Sequence, residues 1–563
     1  MSFPFANDLV GLFVRRDLRR RRKIRQAVGA EICFAVWRLY WGWAIQNSPN
    51  LTGAKGVMET YKMYIDGAFV DAESGDRNDS INPFNGEAIA SIPRGDAADV
   101  NKAVAAARKA FDHGPWPRMS GEERSELIGK AAALLKERMK DYARLESLDS
   151  GGTINKTGAD AFLASRQLAF FGEQAKRFNE EAEPIDGMMR EGRSFNYTIR
   201  EPMGVCAQII PWNFPYMMAI WKLGPALATG NTVVLKPASD TPVMALELAR
   251  VFDEVGFPAG VVNIISGPGG VIGEALTTHP DVDKVAFTGS TEVGREIMAK
   301  AAATLKKVTL ECGGKGANIV LDDADLDIAI DGSIWASYYH QGQVCESGTR
   351  LMLDAKGHDN FVEQMVEKLN AMTMGDPLDP ATQLGPVVSQ SQMKSVLDYI
   401  EIGKNEGAAL ACGGGRATGG DLDKGAFVQP TLFTGVNNQM RISREEIFGP
   451  VLGVLKYDNV DDAIEMANDS IFGLSAGVWS SDIDKAKGVA SRLRSGTIWI
   501  NEWHMLSERS PFGGYKQSGV GREFGDEGLH EYTELKTLYV DDAKTRDKKP
   551  WYDMVVARPK SDA

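Results

Sequence analysis

Short apolar runs alternate with helical stretches along the middle of this 563-residue chain. The runs predict strands over 204–210, 232–235, 261–265, 284–287 and 317–320, and apolar residues at helical spacing predict helices over 100–111, 125–148, 244–255 and 272–278. Strand, helix and strand at this pitch is typical of βαβ units, which build a parallel sheet covered by helices on both faces. The chain is therefore predicted to be an α/β protein, of about three domains for its length.

Composition and charge exclude several classes of protein. Hydrophobic residues make up 43% of the chain and charged residues 25%, which excludes disorder. The five cysteines are odd in number and far apart, so we expect no disulfide framework and a cytoplasmic location. Beyond residue 57 the net charge is −20, which disfavours binding to nucleic acid. The six histidines show no metal-ligand spacing, so no metal is predicted.

Residues 1–57 differ from the rest, with ten Lys and Arg against three Asp and Glu. A basic block at 15–25 precedes an aromatic run at 32–45, which as a helix would reach about 21 Å and is too short to cross a hydrocarbon core of about 30 Å. Contact with a membrane surface through residues 1–45 is one interpretation, and a solvated or untranslated extension is the other. The sequence changes character at Met58, where we expect the functional protein to begin.

The residues directly after the predicted strands carry unusual chemistry. PWNFP, KPAS, SGPGGVIG and TGSTEVG follow four successive strands. Ligands of such sheets bind beyond the carboxyl ends of the strands, and glycine turns that lead into helices present N–H groups suited to a pyrophosphate. The spacing of Gly267, Gly269 and Gly273 has one residue too many for the usual dinucleotide fingerprint, so the glycines alone do not establish a cofactor.

Cys345 and Glu311 carry the candidate reaction chemistry, although each alone fits a buried thiol or a surface charge. They lie in an ordered set of seven motifs: PWNFP, KPAS, FTGSTEVG, LECGGK, GQVCESGTR, EEIFGP and PFGGYKQSGVGRE. Over residues 60–540 the chain resembles the NAD(P)-dependent aldehyde dehydrogenase superfamily. The resemblance implies a doubly wound cofactor domain, an α/β catalytic domain that holds the cysteine, and a small strand extension that assembles a homodimer or homotetramer.

The same resemblance implies domain boundaries. It places the cofactor-binding domain at 58–183 and 202–311, the catalytic domain at 312–528, the oligomerisation strands at 184–201 and 529–543, and a polar tail at 544–563.

The resemblance also gives five residues catalytic roles. Cys345 would attack the aldehyde as a thiolate, and Asn213 with the backbone N–H of Cys345 would hold the oxyanion. Glu311 would activate the water that hydrolyses the thioester. Lys222 and Glu523 would form a proton exit route.

The implied cofactor is NAD or NADP. The resemblance assigns it Ile209, Pro211, Trp212, Lys236, Ser239, Gly269, Gly270, Gly289, Ser290, Glu446 and Phe448. Many relatives that prefer NAD carry Glu where this chain has Ser239; the serine removes repulsion of a 2′-phosphate, although neighbouring Asp240 can restore an acidic contact. A second departure is Cys312, which replaces the usual Leu after Glu311 and is expected to pack in the core.

An apolar and aromatic entry tunnel is implied for the substrate. Its expected lining is Phe214, Met217, Met218, Trp221, Trp503, Leu506 and Phe512. Such a wall suits a medium-sized aliphatic or aromatic aldehyde, or an amino-aldehyde such as betaine aldehyde held by cation–π attraction. Two alternatives stay open: a CoA-acylating semialdehyde dehydrogenase, which usually lacks the glutamate, and a non-catalytic structural homologue, which would be expected to lose Cys345, Glu311 and Asn213.

Overall fold

The structure is a computed structural model, and it describes residues 58–178, 185–186 and 194–557. The extension at 1–57, with the membrane contact predicted for residues 1–45, lies outside the described residues.

Twenty-one strands and fifteen α-helices are found in these described segments. The strands are Glu59–Thr60 (β1), Met63–Ile65 (β2), Ala68–Val70 (β3), Arg77–Ile81 (β4), Ala88–Pro93 (β5), Ile185–Asp186 (β6), Ser194–Pro202 (β7), Val205–Ile209 (β8), Thr232–Lys236 (β9), Val262–Ile264 (β10), Lys284–Thr288 (β11), Lys307–Glu311 (β12), Ala317–Val320 (β13), Arg350–Asp354 (β14), Ala409–Cys412 (β15), Thr431–Thr434 (β16), Val451–Tyr457 (β17), Ser475–Trp479 (β18), Thr497–Ile500 (β19), Gly519–Val520 (β20) and Thr533–Asp541 (β21). The helices are Ala97–His113 (α1), Gly121–Glu137 (α2), Met139–Ser150 (α3), Ile154–Ala175 (α4), Pro215–Ala228 (α5), Val243–Val255 (α6), Glu274–Thr278 (α7), Thr291–Ala301 (α8), Leu326–Tyr338 (α9), His358–Asn370 (α10), Gln390–Asn405 (α11), Arg441–Arg444 (α12), Val460–Asn468 (α13), Ile483–Ala490 (α14) and Gly525–His530 (α15).

An eight-stranded sheet forms the first large layer. Its order is β20-β12-β11-β8-β9-β10-β2-β3, and the five central strands from β12 to β10 are parallel. Alternate residues of β8 enter different cores: Cys206 packs with the helices on one face, and Val205 and Ala207 pack on the other. The strand order reverses between β8 and β11, so this is a doubly wound sheet with its switch point between those strands.

A seven-stranded sheet forms the second large layer, in the order β15-β16-β17-β14-β13-β18-β19. All its pairs are parallel except β15 with β16. The short segment between β12 and β13 carries the chain from the first large sheet to the second. The predicted α/β class is thereby confirmed.

Two small sheets complete the fold. One joins β1, β5 and β4, and the other has the order β21-β7-β6. In the second, β7 and β21 pair antiparallel over nine residues, from Ser194 with Asp541 to Pro202 with Thr533. These strands come from the segments predicted to assemble oligomers, and that role stays a prediction.

Two helix predictions differ from the structure. The stretch predicted over 125–148 is two helices, because Arg138 leaves helical geometry at φ −88° and ψ 7°. The first of them begins earlier, at Gly121, where Ser120 and Glu123 form a capping box. The stretch predicted over 272–278 begins as a wide π-helical turn over Gly269–Gly273 and becomes α-helical only at Glu274.

In the part of the chain that the structure describes, the longest apolar helices fall short of what crossing a bilayer requires. Within the same residues, no cluster of three or more His, Cys, Asp or Glu side chains could hold a metal ion.

Candidate active site

The carboxyl ends of β8, β11 and β12 bring three predicted segments together. Ile209 pairs with Phe287, and Thr288 pairs with Glu311, so these strands end level with one another. The chain after β8 carries Asn213, the chain after β11 carries Ser290, and β12 ends on Glu311 itself. Residues separated by about 100 positions in the sequence therefore share one edge of the sheet.

Cys345 lies in the loop between α9 and β14, above this edge. A tight turn over Tyr339–Gly342 precedes it, in which His340 and Gln341 both have positive φ, 49° and 56°. The cysteine is partly exposed, and its Sγ donates to Oε2 of Glu346 at 3.1 Å. Burial, and then the adjacent Glu346, raise the pKa of the Cys345 thiol well above its ordinary value.

Asn213 is bound directly to the cysteine loop. Its Nδ2 donates to the backbone oxygen of Gln343 at 2.9 Å, two residues before Cys345. A primary amide has two N–H groups, so one donor is left after this bond. Asn213 is 4% exposed, and its backbone oxygen accepts from Nζ of Lys156 at 3.0 Å. The geometry thus holds an amide donor against the loop that carries Cys345.

Glu311 is buried without a hydrogen-bond partner for either carboxylate oxygen among the described residues. Burial, followed by the nearby charge of Glu523, raises its pKa well above the ordinary value. The chain at Gly513 approaches it so closely that a Cβ there would lie 2.7 Å from Oε1. An unpartnered carboxyl group in such a place is suited to exchange a proton with a small molecule in the site.

Lys222 and Glu523 form a buried ion pair behind Glu311, through Nζ and Oε1. Both side chains are almost fully buried, at 0% and 1% exposed. Glu523 also exchanges two backbone hydrogen bonds with Phe512, at 2.8 and 2.7 Å. The two charges of this pair act on the pKa of Glu311 in opposite directions. Glu523 raises this pKa and has the larger effect, whereas Lys222 lowers it.

The predicted cofactor residues form two neighbouring groups. Lys236, 3% exposed, donates to the backbone oxygen of Pro237 at 2.8 Å, and burial lowers its pKa to about 8. Its Nζ lies 3.9 Å from where a Cβ of Gly269 would stand, and the space beside Gly270 is open to at least 4 Å. Ser239 is exposed and donates to the oxygen of Gly267 at 3.2 Å.

The second group lies toward Cys345. The rings of Trp212 and Phe448 meet edge to face with 5.1 Å between centroids. Glu446 accepts from the backbone N–H of Gly314 at 3.0 Å, and burial raises its pKa to about 7. A Cβ at Gly314 would collide with the backbone oxygen of Cys345, so the two backbones approach closely there. Pro211, Gly289 and Ser290 adjoin the first sheet edge, and Ser290 caps α8.

The predicted substrate residues are largely buried. Phe214 precedes α5, Met217, Met218 and Trp221 lie in its first half, and the Trp221 ring packs on Phe512 with 5.7 Å between centroids. Leu506 is partly buried and packs against the same core. Trp503 differs from the expected tunnel lining, because it is fully buried and its indole N–H donates to the backbone oxygen of Glu346 at 2.9 Å. It supports the chain that follows Cys345.

Sequence reasoning missed two groups at this site. Lys156 contacts Asp160 at 2.6 Å and Glu146 at 3.2 Å, and its Nζ lies 4.2 Å from the centroid of the Phe214 ring. The i,i+4 spacing of Lys156 and Asp160 on α4 was an available signal. The second group is Glu346 with His504, whose Nδ1 lies 3.2 Å from Oε1 of the glutamate.

Cys312, expected to pack in the core, is buried there against Gly294. Burial, followed by the charge of Glu311, raises its pKa to about 12.

The chain has a doubly wound sheet, and a cysteine, an amide donor and a buried carboxyl group lie near its switch point. This arrangement is typical of α/β proteins that carry out thiol chemistry beside a nucleotide-binding site. Comparison with known proteins gives the family. The model of the aldehyde dehydrogenase family matches residues 69–538. The chain belongs to the aldehyde dehydrogenase family.

Individual relatives agree with this assignment. Aldehyde dehydrogenase 1A1 of Mus musculus is 47% identical over 484 residues, which cover 85% of this chain and 94% of the relative. Betaine aldehyde dehydrogenase of Bacillus subtilis is 43% identical over 477 residues, 85% of this chain and 96% of the relative. The crystal structure of betaine aldehyde dehydrogenase from Staphylococcus aureus in complex with NAD+ matches with a TM-score of 0.84 at 39% identity, covering 86% of this chain and 96% of that one.

Proposed function

We propose that Cys345, Asn213 and Glu311 are the catalytic residues of this enzyme, which oxidises an aldehyde to the carboxylic acid with NAD or NADP. The observation that carries the proposal is geometric: the amide of Asn213 is bound to the loop of Cys345, and Glu311 ends β12 at the sheet edge from which the chain leads to Asn213. A chain that kept only the fold would have no need of a nucleophile, a donor and a proton acceptor in one place.

Cys345 attacks the carbonyl carbon as the thiolate, so that a C–S bond forms and the carbonyl electron pair moves to oxygen. The free N–H of Asn213 and the backbone N–H of Cys345 stabilise this oxyanion. Collapse of the thiohemiacetal releases hydride from the same carbon and leaves a thioester on Cys345. Bound NAD(P)+ supplies the acceptor for that hydride.

The two groups of predicted cofactor residues described above fit such a dinucleotide. The Lys236 ammonium beside the open glycine turn at Gly269 and Gly270 suits the ribose and pyrophosphate. Glu446, whose carboxylate is oriented by Gly314, and Phe448 would hold the nicotinamide ribose and ring. Ile209, Pro211, Trp212, Ser239, Gly289 and Ser290 complete the proposed cofactor contacts.

Glu311 is proposed to accept a proton from the water that adds to the thioester, which releases the acid and restores Cys345. Only the carboxylate form can accept this proton. Because burial raises its pKa, the carboxylate fraction and the hydrolysis rate increase as the pH rises through that raised value. The Lys222–Glu523 pair is proposed to pass the proton onward.

The substrate is proposed to be a medium-sized aliphatic, aromatic or amino-aldehyde. Apolar side chains at the start of α5 and the Phe214 ring support an apolar aldehyde chain. The betaine aldehyde dehydrogenases among the relatives support the amino-aldehyde option.

Assembly through β21 is also proposed. This strand is the edge of its sheet in the described part of the chain, and Leu535 and Tyr539 on it are 59% and 80% exposed. An edge strand with exposed apolar side chains favours pairing with a second copy. The four described cysteines form no disulfide, which supports the proposed cytoplasmic location.

Mass spectrometry of Cys345→Ala and Glu311→Gln tests the mechanism. With aldehyde and both cofactors supplied in turn, we expect Cys345→Ala to lose oxidation while it still binds cofactor. Glu311→Gln should accumulate an acyl adduct on Cys345. Added CoA should not release this adduct as acyl-CoA faster than the wild type releases the acid by hydrolysis. Steady turnover by Cys345→Ala, or no adduct in Glu311→Gln, would refute the assignment.

A further inference from the structure

The Glu346 side chain lies between the Cys345 thiol and the His504 ring. Its Oε2 accepts from Sγ at 3.1 Å, and its Oε1 lies 3.2 Å from Nδ1 of His504. The backbone oxygen of Glu346 accepts two further bonds, from Trp503 at 2.9 Å and from Ser475 at 2.8 Å. Contacts to its two carboxylate oxygens and hydrogen bonds to its backbone oxygen therefore hold Glu346 in place.

His504 is fixed for this contact by a set of rings. Its side chain is 5% exposed and lies 5.4 Å from Trp335 and 5.3 Å from Tyr339, measured between ring centroids. Nε2 of the same imidazole is buried with no hydrogen-bond partner among the described residues. The carboxylate is thus the polar neighbour that orients the ring, with Nδ1–H as the donor.

Three carboxyl groups act on the Cys345 thiol: Glu346, Glu446 and Glu311. Burial raises the pKa of Glu446 to about 7 and that of Glu311 well above its ordinary value. Burial also acts to raise the pKa of Glu346, but the hydrogen bond from His504 holds it below its ordinary value. Tyr339 also faces this group, and burial keeps its hydroxyl neutral by raising its pKa. Of these three carboxyl groups, Glu346 is the one whose pKa is lowered, and it is also the one that accepts the hydrogen bond from Sγ.

We propose that Glu346, held by His504, is a positioning residue that keeps Cys345 as a protonated thiol in the free enzyme. The inference rests on the proposed role of Cys345 as nucleophile. A fixed carboxylate that accepts a hydrogen bond from S–H disfavours the thiolate. The thiolate is the form that reacts with electrophiles and oxidants. Attack on an aldehyde then requires Sγ to leave this hydrogen bond and to release its proton to solvent, to which Cys345 is partly exposed, so the thiol is restrained until a substrate is present.

Alkylation of the full-length protein by iodoacetamide tests the proposal, with modified Cys345 measured by mass spectrometry over a range of pH. Glu346→Gln keeps the size of the side chain and removes the charge. We expect it to be alkylated about tenfold faster at pH 7, with the midpoint of the rate profile about one unit lower, since one pKa unit is a tenfold change in thiolate. His504→Asn should shift the rate in the same direction by a smaller factor.

Glu508→Gln is the matched control. Glu508 is also a buried carboxylate, 7% exposed, but it pairs with Arg166 at 2.9 Å. Its substitution should leave the alkylation rate of Cys345 unchanged.

Equal or slower alkylation in Glu346→Gln would overturn the role of Glu346 while leaving Cys345 as the nucleophile. If Glu346→Gln does not fold, an unchanged profile in His504→Asn would overturn it in the same way. Failure of iodoacetamide to modify Cys345 in the wild type and in every variant, even at alkaline pH, would instead count against the nucleophile itself.

Discussion

Replacing Asn213 with Ala removes the side-chain donor that we assign to the oxyanion. The structure gives this amide two functions: one N–H binds the oxygen of Gln343 at 2.9 Å, and the other is left for the substrate. Loss of one oxyanion donor lowers kcat by about 10²–10³, which is about 2.7–4 kcal/mol of transition-state stabilisation. The unpaired oxygen of Gln343 adds a folding penalty of about 1–3 kcal/mol. We therefore expect a large fall in kcat, little change in KM and a modest loss of stability.

Stopped-flow measurement of NAD(P)H formation, with urea unfolding of the same samples, separates these two effects. Asn263→Ala is the matched control, because Asn263 is another fully buried amide whose Nδ2 donates to backbone oxygens, at 3.1 Å to Val233 and 2.8 Å to Gly260. It should lose stability while each folded molecule keeps its kcat. Retention of kcat within threefold by Asn213→Ala, or an equal loss in Asn263→Ala, would refute the oxyanion assignment.

The remaining predictions concern the cofactor, the base and assembly. Ser239→Glu should raise the ratio of kcat/KM for NAD over NADP by about tenfold or more, since a carboxylate repels a 2′-phosphate. Steady-state kinetics with both cofactors measure this ratio, and an unchanged ratio would place Ser239 outside the site. Glu523→Gln removes a charge that raises the pKa of Glu311, so the acidic limb of the pH–kcat profile should move to lower pH, and a move to higher pH would contradict the coupling. Leu535→Lys combined with Tyr539→Lys should lower the oligomeric mass in analytical ultracentrifugation; an unchanged mass would exclude β21 from the interface.

The sheet core could be predicted because its signal is local. Strands such as Val205–Ile209 and Lys284–Thr288 are buried along their whole length, so they appear as mostly apolar runs with turns at each end. The helix break at Arg138 has no such signal, since neither Gly nor Pro marks it and the apolar periodicity continues on both sides. The later strands of the seven-stranded sheet were not predicted.

The site could be predicted where motifs carry it and not where the contacts are long-range. Cys345, Glu311 and Asn213 were found in ordered motifs; the fold places Asn213 and Glu311 at one sheet edge, and the hydrogen bond from Asn213 to Gln343 joins the Cys345 loop to that edge. The contact of Glu346 with His504 spans 158 positions, and that of Lys156 with Asn213 spans 57. Nothing in the local pattern of these residues indicates a partner, because each pairing depends on how the α9–β14 loop, α4 and the chain after β19 pack together.

The position of Cys345 between the two large sheets explains why its surroundings are so closely constrained. The sulfur belongs to a loop that leads into β14 of the seven-stranded sheet, whereas the Asn213 amide and the Glu311 carboxyl belong to the edge of the eight-stranded sheet. Two of the contacts between these parts are the hydrogen bond from Asn213 to Gln343 and the close approach of Gly314 to the oxygen of Cys345. Gly314 lies in the short segment that connects the two sheets, so a larger residue there would collide with the backbone of the cysteine loop. The same segment therefore provides the covalent connection of the sheets and limits how the Cys345 loop can pack against the edge that carries Asn213.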